Sequence, residues 1–129
     1  MKNMRTIAFP LLLCCGFRLA ASEPVDFATE VHPILVARCL GCHVGAKAAA
    51  GLSLGSRADM LKGGTSGPAL APGDSSKSLI VKRILGGEGI ARMPFGGEPL
   101  RSEEISLIRR WIDEGAKVNL PDTAIGTFS

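Results

Sequence analysis

Cys39-Leu40-Gly41-Cys42-His43 constrains this chain more than any other stretch. Thiols three positions apart stand about one helical turn from each other, and an imidazole follows the second thiol directly. The fold is therefore organised around whatever that turn holds. The other cysteines, Cys14 and Cys15, fall in an N-terminal stretch that reads as a leader. Lys2 and Arg5 give it a basic start, Ile7 to Phe17 carries no charge, and Ala20-Ala21-Ser22 offers small residues for cleavage. Cleavage is expected after Ser22, which makes residues 1–22 a signal peptide and residues 23–129 a single domain. A spanning helix needs about 20 apolar residues. The run from Ile7 to Phe17 is much shorter, and Pro10 interrupts it. No stable membrane span is expected after cleavage, and the expected location is exported, periplasmic or otherwise extracytoplasmic.

The leader also settles the charge argument. Lys2, Arg5 and Arg18 account for the whole formal net charge of +3, so the remainder is neutral. The remainder also lacks a Lys/Arg cluster with interleaved aromatics, which sets nucleic acid aside. With Cys14 and Cys15 removed, no disulfide framework is left. A small exported domain without disulfides needs another source of stability, and a bound cofactor with a large apolar surface would supply one.

Along residues 23–129 the hydropathy pattern predicts short helices. Phe27, Val31, Ile34 and Leu35 fall at helical spacing over Val25 to Arg38, with Asp26 as cap. Pro33 either kinks that helix or marks a fresh start. Val44 to Gly55 reads as loop, with at most a short extended piece at Leu52-Ser53-Leu54. Ser56 and Asp59 open a short helix that stops at Gly63-Gly64. Thr65 to Gly73 suits an ordered loop wrapping something. Asp74 to Ser76 are expected to cap a helix over Lys77 to Leu85, and Glu88 to Pro99 is again loop. The most regular helix runs from Ser102 to Glu114, with Ile105, Ile108, Trp111 and Ile112 as its apolar stripe and Gly115 as its stop. Sustained strand alternation is missing, so the fold class is all-α. Loops this long are uncommon unless they serve a site.

A Cys-x-x-Cys-His run suits covalent haem: the thiols can bond the two vinyl groups of one haem while the adjacent imidazole reaches the iron. Two other chemistries compete. Structural zinc takes four ligands, and residues 23–129 offer only Cys39, Cys42, His43 and the separate His32. A redox dithiol pair normally sits in a βαβ setting, which this pattern lacks. For a sixth iron ligand the candidates are Met60, Met93 and His32. Met93 is preferred, because it lies in a Gly/Pro loop between helices and Pro94 stiffens the backbone beside it. Met60 reads as packing, and His32 as a surface or supporting residue.

The chain resembles the planctomycete-type cytochrome c domain over nearly all of residues 23–129. The stretches that carry the resemblance are Val25-Asp26-Phe27, Val31 to Leu35, Cys39 to His43 and Gly51 to Leu54. They continue with Lys62-Gly63-Gly64 to Ala69, Pro72-Gly73-Asp74, Ser78-Leu79-Ile80, Arg92-Met93-Pro94 and Glu103 to Ala116. The resemblance implies an all-α cytochrome c-like fold around one covalent haem c with its iron, His43 proximal and Met93 distal. Three departures stand out. Phe95 replaces the second proline of Met-Pro-Pro and is expected to set an aromatic against the haem edge. Ser102 is expected to take over the cap of the last helix. Relatives often carry the domain at the front of a longer chain.

Electron transfer through a six-coordinate His/Met haem is the function expected. The chain is then an electron carrier rather than an enzyme, with a redox partner protein that could be a larger exported oxidoreductase. The alternatives are a haem sensor or a peroxidase-like module, which need an open distal position.

Overall fold

The structure is a computed structural model that describes Gly16 and residues 22–127. The stretch read as a signal peptide, Cys14 and Cys15 included, lies outside the described residues apart from Gly16 and Ser22. Asp26 accepts from the backbone N–H of Thr29 at 2.9 Å and opens a π-helical turn, Phe27–Val31. α1, His32–Arg38, follows directly. Pro33 lies in its first turn, where a missing N–H is tolerated, so the fresh start is the outcome adopted. The helical segment begins at Phe27, because Asp26 is extended and acts as its N-cap, while the Val25 N–H donates to Glu114 Oε2 at 2.7 Å.

α2, Arg57–Lys62, opens where Ser56 Oγ accepts from Asp59 N at 2.9 Å, as the sequence predicts. α3 is Leu79–Leu85 and starts later than expected. Asp74 caps only the preceding turn, through Ser76 N and Lys77 N. Ser78 is fully buried, and its hydroxyl accepts from Ala71 N at 2.9 Å, which ties the loop to the start of α3. α4, Ser102–Asp113, is preceded by an extended Arg101. Ser102 does not cap it, because Glu104 Oε2 reaches back to Arg101 N at 2.8 Å and fills that role. A one-turn helix, α5 at Asp122–Ile125, has no counterpart in the sequence reading. Among the described residues the only extended pairing is isolated bridges, Gly64 with Gly67 and Gly87 with Ile90, so the all-α expectation holds.

The core forms where three apolar faces meet. Phe27, Val31 and Leu35 pack against Ile108, Trp111 and Ile112 of α4, and Ile80, Val81 and Ile84 of α3 close the cluster. The Phe27 and Trp111 rings lie 5.3 Å apart, and Trp111 Nε1 donates to Lys117 O at 2.7 Å, so the indole is buried without an unpaired N–H. Met60 is fully buried in the same cluster, consistent with packing. α4 also anchors loops. Asp113 accepts from Ser75 N at 2.7 Å, Ile112 O accepts from Gly73 N at 2.8 Å, and Arg57 Nε donates to Ala116 O at 2.8 Å beyond its end.

Gly63 is the tightest backbone junction. Its φ is +74°, and a Cβ there would fall 1.9 Å from Gly67 O. Gly67 has φ +95° but open space around a Cβ. Gly63→Ala therefore pays both strain and overlap, about 2–5 kcal/mol, and Gly67→Ala pays strain alone, about 1 kcal/mol. Denaturant midpoints of the two variants should show that order, and equal costs would refute it.

Candidate functional site

The five-residue motif forms a compact turn at the end of α1. Cys42 N and His43 N both donate to Cys39 O, at 3.2 and 3.0 Å, so both thiols and the imidazole come off one turn. The backbone after it folds back: Leu54 N donates to His43 O at 2.8 Å. That return sets Leu52 O 3.2 Å from His43 Nδ1. A carbonyl only accepts, so Nδ1 carries the proton and Nε2 is left as the nitrogen able to bind a metal.

A cavity of roughly 340 Å³ lies beside this turn. Cys39, His43 and Met93 all line it, although Met93 is far away in sequence. Met93 is held there by its backbone N–H, which donates to Arg83 O at 2.8 Å. Leu52, Leu54, Ala69, Ile80 and Ile84 make its walls apolar. Residues 65–67 contribute as well, so the loop expected to wrap something borders this cavity.

The two thiols are not equivalent. Cys42 is exposed and does not line the cavity, whereas Cys39 is half-buried on its wall. Burial pushes the Cys39 thiol up to about 11, with Glu104 adding a smaller raising and the neighbouring Arg38 opposing with a lowering. Arg38 itself reaches across to Pro99 O at 2.8 Å and Glu98 O at 3.3 Å, fastening that loop beside Cys39.

The other sequence candidates lie elsewhere. His32 Nε2 is 2.9 Å from Ile125 O, and its ring packs 5.9 Å from that of Phe27, so it joins α1 to α5. Phe95 is 81% exposed and is not on the cavity wall, contrary to the expectation of an aromatic against the haem edge. The turn closed by Gly97 N to Pro94 O at 3.2 Å carries Phe95 outward. No three His, Cys, Asp or Glu side chains come together as a metal cluster among the described residues. Sequence reasoning missed the Leu52 carbonyl and the cavity-facing Arg83. The position of Leu52 nine residues after His43 carries no signal of its own.

The donor set fits a covalently held haem. One thiol and one imidazole with a free Nε2 line an apolar cavity, a thioether lines it too, and the second, exposed thiol comes off the same turn. Fold and site thus define a small helical protein built around a Cys-x-x-Cys-His turn. Residues 39–94 match the family model described as Planctomycete cytochrome C, the family that the sequence resembles. Over that stretch the chain is similar to a c-type cytochrome domain. No curated protein and no solved structure matches the chain. Among the described residues no helix is long and apolar enough to cross a membrane.

Differential thiol reactivity follows from the geometry. In chain produced without haem attachment, iodoacetamide at pH 8 should modify Cys42 at least about tenfold faster than Cys39, since the thiolate is the reacting form. Below about 11 the Cys39 thiol stays protonated, so its rate should climb as pH rises toward that value. Peptide mapping by mass spectrometry reads both rates, and equal rates would contradict the burial of Cys39.

Proposed function

We propose that the chain is an exported monohaem c-type cytochrome that carries electrons, with one haem c bonded to Cys39 and Cys42 and its iron ligated by His43 and Met93. The observation that carries this reading is that Cys39, His43 and Met93 line a single apolar cavity. When bound, the haem supplies one-electron Fe(III)/Fe(II) chemistry. The protein supplies the rest. The Leu52 carbonyl orients the imidazole and raises its basicity, and the Arg83 carbonyl holds the Met93 backbone beside the cavity. Apolar walls keep water from the reacting centre, and a thioether ligand raises the potential. Such a carrier needs no catalytic residue. It passes electrons to a redox partner protein, which could be a larger exported oxidoreductase.

The intact mass of the denatured protein, made in a host that matures c-type cytochromes, tests attachment. The expected mass is the chain from Glu23 plus one haem. A bare polypeptide mass, alongside a control cytochrome that matures normally, would overturn the reading.

Met93→Ala separates a carrier from a sensor or peroxidase-like module. The native ferrous protein should leave carbon monoxide unbound while the variant takes it up, as read from the Soret band. Ready binding by the native protein would mean an open distal position and refute ligation by Met93.

A further inference from the structure

The cavity is apolar except at one end. Its sole residue with a formal charge is Arg83, which lines it together with Thr65 and Ser66. Both of these are exposed and Arg83 is half-buried, so this polar end is where the cavity meets solvent. The guanidinium is weakly committed there. Among the described residues its one hydrogen bond is from Nη2 to Ser66 Oγ, at a long 3.4 Å, and no ion pair among them includes it. The neighbouring arginines are spent on backbone carbonyls, Arg38 on Pro99 and Glu98, and Arg92 on Gly97.

A cation left without a carboxylate partner at the mouth of an apolar cavity calls for an anion. On the reading of this cavity as a haem site, the anion is at hand: haem carries two propionates on the edge opposite its vinyl groups. Thioether bonds at Cys39 and Cys42 turn the vinyl edge toward the motif and the carboxylates away from it. Burying a carboxylate without a partner is costly, so those groups must emerge where a cation and hydroxyls meet them.

We propose that Arg83, with the Thr65 and Ser66 hydroxyls, is the carboxylate-binding end of this cavity and receives a haem propionate. Arg83 then acts twice, its carbonyl holding the Met93 backbone and its guanidinium neutralising a propionate. Removing the guanidinium leaves that negative charge uncompensated near the iron and favours the ferric state.

Arg83→Gln, Arg83→Lys and Lys82→Gln test this in the haem-bearing protein. Lys82 is the exposed neighbour of Arg83, and its replacement removes the same formal charge. At equilibrium with a fixed mediator, R83Q should show a reduced-to-oxidised ratio about tenfold lower than the parent, equivalent to about 59 mV for one electron. R83K should recover most of that loss, and K82Q should shift the ratio less than about twofold. The propionate carboxylate bands in the redox difference infrared spectrum should move in R83Q and stay put in K82Q.

An R83Q protein that keeps its haem by mass but matches K82Q in ratio and in carboxylate bands would overturn the assignment to Arg83 alone. A parent protein without covalent haem would overturn the haem reading, and this inference with it.

Discussion

The burial of α4 against the first helical segment is the interaction on which the rest of the structure depends. Trp111 packs on Phe27 while Ile108 and Ile112 fill the space toward α3. In a chain without a sheet among its described residues, long loops have no ladder to hold them. They are fastened to α4 instead, through the Asp113 carboxylate, the Ile112 carbonyl and the carbonyl of Ala116 just past its end. Loose Gly/Pro stretches thereby become fixed walls, and each such bond satisfies a backbone group that would otherwise need water.

The same arrangement creates the cavity. α3 packs on α4 and turns Ile80 and Ile84 toward the motif, while the Ile80 N–H donates to Ala69 O at 3.0 Å and brings residues 65–69 alongside. Gly63 and Gly64 let this loop run close to the segment after the motif, since a Cβ on Gly64 would fall 2.5 Å from Ala50 O. The family match ends at residue 94, immediately past Met93, so it covers the turn that would attach haem and the loop that brings the thioether back to it. α4 lies outside the matched stretch yet holds it together.

Much of this was legible in the sequence for specific reasons. Ser56 and Asp59 announced α2 because a capping hydroxyl must sit directly before the helix it opens, and the stripe Ile108-Trp111-Ile112 announced α4 because helical periodicity repeats along one face. Where the reading slipped, a long-range partner had competed for a local one. The buried Ser78 hydroxyl serves Ala71, which places the start of α3 after it. Phe95, in place of the second proline of Met-Pro-Pro, was expected against the haem edge, but the turn closed by Gly97 N to Pro94 O carries it outward.

By itself the sequence determined the helical class, the order of elements and the one turn that carries two thiols and an imidazole. Those properties are local: periodicity, caps and spacing act within a few residues. Only the tertiary structure decided that Met93 shares a cavity with His43 while Met60 and His32 do not, that Leu52 fixes the imidazole tautomer, and that Arg83 joins Thr65 and Ser66 on the cavity wall. Each of these joins parts of the chain whose separation carries no local signal, and packing and loop closure set which groups meet.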